Sequence, residues 1–166
     1  MSRRWPHCFN PLDRTRETKM EISLASVADI PPLCHLLSEL FSQEAEFRPD
    51  YEAQNRGLTS IITDPNIGHI FVARHDSQIV GMVNLLYTVS TALGERVAWL
   101  EDMVVLSDVR GQGVGSLLLE HAVEFARQNG CRRLSLLTDP DNLHAQHFYR
   151  RQGFRVSEMV PMRLVF

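Results

Sequence analysis

The sequence predicts a mixed α+β domain, a mostly antiparallel sheet with helices on both faces. Two observations predict it. Segments of helical period alternate with strand-like runs in the order βααβββαβαββ. Three glycines at every second position then join an apolar strand-like run to an amphipathic helix. The 166 residues suit one domain with a real core, and 44% hydrophobic with 22% charged residues is ordinary for a globular chain.

Residues 1–19 lack periodicity and carry Pro6 and Pro11, so they read as an extension and the domain spans 20–166. Residues 21–24 alternate as a short strand. Ser26 precedes Asp29 by three, a capping-box spacing. Pro31 and Pro32 are tolerated only in or near a first helical turn. Leu33, Leu36, Leu37, Leu40 and Phe41 then recur at helical spacing. A second helix covers 51–62 and stops at Asp64-Pro65. Strands 67–74 and 78–89 flank the turn His75-Asp76-Ser77 as a hairpin. After a turn at 90–95, residues 96–106 form the central strand. The helix after the glycines, 116–129, carries Leu118, Ala122 and Phe125 on one stripe and ends at Asn129-Gly130. A strand at 134–138, a turn at Asp139-Pro140-Asp141 and a helix at 142–151 follow. Residues 154–158 and 162–166 read as a closing hairpin across Pro161.

The glycine turn is Arg110-Gly111-Gln112-Gly113-Val114-Gly115-Ser116. Glycines reach positive φ without a Cβ clash, and a helix N-terminus exposes unpaired N–H groups. Together they cradle an anion, best a phosphate. A Walker loop needs a lysine after its glycines, and the one lysine of this chain is Lys19. A Rossmann loop is nearly matched by Gly111, Gly113 and Ser116 with Asp139 as the acid. Only 27 residues follow Asp139, too few to complete a doubly wound sheet. The remaining pattern, Arg/Gln-x-x-Gly-x-Gly/Ala, binds the pyrophosphate of coenzyme A, and Arg110, Gly113 and Gly115 fill it.

Here the chain resembles the GNAT family of N-acetyltransferases. The resemblance extends to Asn142-Leu143-His144-Ala145-Gln146-His147-Phe148-Tyr149 followed by Gly153-Phe154, the family's second signature in the right order. The resemblance implies a GNAT-like acyl-CoA N-acyltransferase fold, a strongly twisted mixed sheet that splays open beside the glycine loop. It implies acetyl-CoA as co-substrate, without a metal. Arg110, Gly111, Gln112, Gly113, Val114, Gly115 and Ser116 would hold the pyrophosphate, with the Arg110 side chain either on phosphate or shaping the turn. Backbone groups of Met103, Val104 and Val105 would pair with the pantetheine arm like another strand. Asn142 would contact the pantetheine, act as a helix N-cap, or both. A homodimer is also implied.

Two catalytic side chains are expected. When acetyl moves to an amine the CoA thiolate departs, and the Tyr149 hydroxyl, with an ordinary pKa of about 10, can hydrogen-bond or protonate it. The acceptor amine, mostly protonated at neutral pH, needs a base. Glu101 and Asp102 are adjacent on a strand, so they are expected on opposite faces with one toward the acceptor. In family members with Leu-Glu-Asp here the Glu often serves, and Glu101 is the first choice. His144 and His147 lack a third ligand at metal-binding spacing and read, like His121, as solvated helix-face residues. Cys34 and Cys131 read as buried thiols rather than nucleophiles.

A net charge of −3 argues against nucleic acid as the main partner. No apolar run approaches the roughly 20 residues of a membrane span. Three unpatterned cysteines, Cys8 included, suggest a reducing compartment, hence the cytoplasm. The first residues have no apolar core for a secretory signal, and Asp13 and Glu17 weaken a transit-peptide reading. The acceptor is a small-molecule or peptide amine, met by loops 41–57 and 88–95. Glu44, Glu46 and Asp50 point weakly to a cationic one. The rivals are a non-catalytic acyl-CoA-binding regulatory module, a transferase for another acyl chain or acceptor, and a nucleotide-binding oxidoreductase.

Overall fold

The computed structural model describes residues 20–43 and 47–166. The readings of residues 1–19, Cys8, Glu44 and Glu46 lie outside them. The elements are β1 (Met20–Leu24), α1 (Ile30–Phe41), α2 (Tyr51–Thr63), β2 (Gly68–His75), β3 (Gln78–Ser90), β4 (Glu95–Val105), α3 (Val114–Gln128), β5 (Leu134–Ser135) and α4 (Leu143–Arg151). Five strands make one sheet in the order β1-β2-β3-β4-β5. The first three pairings are antiparallel and the β4–β5 pairing is parallel.

Alternation along β2 sorts the core into two layers. Phe71 and Ala73 face α3 and join Val83, Leu85, Leu100, Leu118 and Leu119. Ile70 and Val72 face the other way and join Leu33, Leu36, Leu37, Leu58, Met82 and Val104 under α1 and α2. Complete burial of each Val, Leu, Ile, Phe or Met side chain among these stabilises the fold by about 1.5–3 kcal/mol. Helices therefore cover both faces, as the order of elements predicts.

Local chemistry sets the element ends. Asp29 Oδ2 accepts from the Ser26 N–H at 2.7 Å and from Ser26 Oγ at 2.9 Å, closing the turn into α1. The Arg74 guanidinium on β2 binds the same oxygen at 2.8 Å. Asp50 caps α2 by accepting from the Ala53 N–H at 3.0 Å. Asp64 is extended at the other end, as a residue before proline prefers. Asp76 and Ser77 both take positive φ between β2 and β3, the geometry that two-residue hairpins need.

The sequence reading fails at the C-terminal end. Pairing of the 134–138 segment stops after Leu134 and Ser135. Residues 154–166 form no strand, and Val156, Met159, Val160, Met162, Leu164, Val165 and Phe166 are exposed. A closing hairpin needs an edge to dock on, and β5 offers only two residues. Apolar content alone does not reveal that missing edge.

Candidate functional site

The site starts from an irregularity in β4. Register runs Asn84↔Glu101 and then Met82↔Val104, so Val83 on β3 faces both Asp102 and Met103 on β4. That extra residue is a β-bulge. Asp102 absorbs it with φ of +50°, a left-handed conformation that Asp tolerates better than most residues. The bulge corrects the expectation that Glu101 and Asp102 take opposite faces. Glu101 pairs across from Asn84, and Asp102 shares a cavity wall with that same Asn84. Leu100 and Met103 turn toward α3 instead.

Asn84 is 1% exposed, and its Nδ2 donates to Asp102 Oδ2 at 2.6 Å. This bond orients the carboxylate. The cavity beside it has a volume of about 300 Å³ and is walled by Leu37, Phe41, Phe47, Leu58 and Ile61 from the helical side. Arg48, Asp50 and Gln54 also line it. Sequence reading missed Asn84, Gln54 and Arg48. The readable signal for Asn84 was a lone amide inside the apolar run Met82-Val83-Asn84-Leu85-Leu86.

On the other side of β4, the sheet opens. β5 pairs with β4 only at Ala98↔Leu134 and Trp99↔Ser135, while β4 continues to Val105. Beyond Trp99, β4 is held by β3 alone among the described residues. The edge of Met103, Val104 and Val105 therefore faces a split in the sheet, where an extended ligand arm could pair with it.

The glycine loop closes one end of that split. Gly111 at φ +77° and Gly113 at φ +84° occupy backbone conformations costly to any residue with a Cβ. Gly113 is the N-cap of α3, so the N–H groups of Val114, Gly115 and Ser116 begin the helix without intrahelical acceptors. The positive end of the α3 dipole adds to them. Arg110 Nε donates to the Val105 carbonyl at 2.8 Å, tying the loop to the end of β4. Gln112 Nε2 donates to the Asp108 carbonyl at 3.3 Å. N–H groups so arranged can receive an anion, and Arg110 keeps further guanidinium N–H groups beyond the one that shapes the turn.

A Cβ on Gly115 would lie 3.6 Å from Met103 Cε and 3.7 Å from Phe148 Cζ. The loop, the bulged strand and α4 thus meet at one point. Tyr149 follows on α4, its ring 5.2 Å from that of Phe148 and 5.7 Å from that of Phe154. Burial pushes its hydroxyl up to about 12. Asn142 caps α4, its Oδ1 accepting from the Ala145 N–H at 3.0 Å, which leaves its amide group outside the cap. His121, His144 and His147 are exposed on their helices, Cys34 is buried and Cys131 only partly so.

An opened sheet, a glycine turn at the N-terminus of α3 and a cavity across the bulged strand are the features of this site. Comparison with known proteins supplies the class. The acetyltransferase (GNAT) family matches residues 30–154, and the chain belongs to that family of transferases. It is 33% identical to the aminoalkylphosphonate N-acetyltransferase of Salmonella typhimurium over 149 residues, 88% of this chain and 94% of that protein. Among solved structures, a transcriptional regulator from Bacillus halodurans is 27% identical with a TM-score of 0.75, covering 89% of this chain and all (100%) of that one. An aminoglycoside N-acetyltransferase in complex with CoA shares the fold at 20% identity and a TM-score of 0.76, covering 91% of this chain and 97% of that one.

Proposed function

We propose that this protein transfers an acetyl group from acetyl-CoA to a primary amine of a small molecule by direct attack. The observation that carries the reading is the loop of residues 110–116 set against the open edge of β4. Gly111 and Gly113 bring backbone N–H groups within reach of a pyrophosphate, and Met103 to Val105 offer a strand edge to the pantetheine arm. When bound, acetyl-CoA supplies an activated acetyl thioester. The similarity to an aminoalkylphosphonate N-acetyltransferase supports a small amine as acceptor.

The residues divide the work as follows. Glu101 accepts a proton from the acceptor ammonium, directly or through water. The freed amine forms a C–N bond to the acetyl carbon as the C–S bond breaks. The second amine proton leaves to solvent, and the sulfur departs as a thiolate that ends as the CoA thiol. Tyr149, with a hydroxyl near 12, is a weaker acid than a thiol of about 8.5. It therefore donates a hydrogen bond to the thiolate rather than its proton. Strand N–H groups near Val104 would polarise the thioester carbonyl. Holding both reactants across one strand supplies much of the acceleration.

The test is a thiol-release assay with acetyl-CoA and a panel of primary amines. Release that depends on amine is expected. A protein that is stabilised by acetyl-CoA yet releases no thiol with any amine would be a binding module instead.

A further inference from the structure

The cavity across the bulge carries both signs of charge. Asp102 lies in its wall with the carboxylate oriented by Asn84 Nδ2 at 2.6 Å. Arg48 lines the same cavity and is exposed. Asp50, which lines the same cavity, has one carboxylate oxygen engaged in capping α2. Two more polar groups lie in this wall. Asn84 Oδ1 and Gln54 Nε2 are buried without a partner among the described residues. Buried polar atoms left unmet are costly, and such atoms beside a cavity suit a ligand that completes them. The remaining wall is apolar and leaves room for a short carbon chain.

We propose that the acceptor is a small amine that also bears an anionic group, its ammonium received at Asp102 and its anion by Arg48. This rests on the transferase reading above and narrows it. Asp102 is partly buried and Arg48 is exposed at the rim, so the two charges would meet opposite ends of a bound molecule. A guanidinium fork binds a phosphonate or carboxylate through two N–H groups. A dicationic amine would meet Arg48 with like charge, contrary to the cationic acceptor that Glu44, Glu46 and Asp50 suggest in sequence.

Initial rates of CoA release with aminoethylphosphonate, β-alanine, propylamine and putrescine test it. The wild-type protein should favour the two anionic amines in kcat/KM over propylamine, and propylamine over putrescine. Arg48→Ala should cut the ratio of aminoethylphosphonate to propylamine by about tenfold or more, mainly through KM. Arg48→Lys should keep part of that preference, and Arg48→Glu should turn it toward putrescine. Equal or better use of propylamine or putrescine by the wild type, or a ratio untouched in Arg48→Ala, overturns this inference alone. No release with any amine overturns the transferase reading and this inference with it.

Discussion

Asp102 is the residue on which the site's geometry turns. Its left-handed backbone inserts one residue into β4 and brings Glu101 and Asp102 onto the Asn84 side of the sheet. The sequence displayed the Glu101-Asp102 pair but hid the bulge, because period-2 reasoning assumes an unbroken strand. Tyr149 was legible from its signature, whereas its raised pKa comes from burial among rings that only the fold assembles. That shift fixes a prediction. Tyr149→Phe should lower kcat by about 10- to 100-fold, the worth of one hydrogen bond to a charged atom. Since burial holds the hydroxyl near 12, it keeps its proton, and the ratio of wild-type to variant rate should stay flat from about pH 7 to about pH 10. A ratio that collapses within that range would mean that the Tyr149 hydroxyl ionises there, near its ordinary value. Glu101→Gln should cost about 100-fold or more in kcat at neutral pH, and the loss should shrink as pH rises and free amine becomes plentiful.

At the scale of elements, the loop and the helix α3 that follow β4 were readable almost completely. Gly111, Gly113 and Gly115 announced the turn, and Asn129-Gly130 announced the helix end. The three glycines differ in what they demand. Gly113 sits at φ +84°, while a Cβ on Gly115 would make ordinary contacts with Met103 and Phe148. Gly113→Ala should therefore destabilise the protein by about 1–2 kcal/mol and weaken acetyl-CoA binding, read by urea unfolding and titration. Gly115→Ala should unfold at nearly the wild-type urea concentration. The segment from 154 to 166 misled for the opposite reason. Its apolar residues look like strands, but strand formation depends on a docking edge that β5 is too short to give.

For the whole molecule, a polar tether ties the start of α1 to the sheet. Asp29, ahead of α1, binds Arg74 on β2 at 2.8 Å. Burial pushes the Asp29 carboxyl up, but the Ser26 N–H, the Arg74 guanidinium and the Ser26 hydroxyl together outweigh it and hold the carboxyl below its ordinary value. A carboxyl depressed in the folded state contributes stability above its unfolded pKa and loses it as pH falls through the folded one. Asp29→Ala should thus lower stability at neutral pH by about 1–3 kcal/mol, and the gap to wild type should narrow as pH drops below about 4. A gap independent of pH would assign the effect to the helix cap rather than to charge. The capping spacing was visible in the sequence. The Arg74 partner, 45 residues away, was not, because only sheet pairing brings β2 beside the start of α1.

The central claim is that one strand, β4, holds the donor on its open edge and the acceptor across its bulge. The most direct measurement mixes the protein with acetyl-CoA and aminoethylphosphonate and follows both products, free CoA by thiol titration and acetylated amine by mass spectrometry. The account predicts that the two appear in equal amounts and that neither appears when the amine is left out. CoA released without acetylated amine from any primary amine would contradict it.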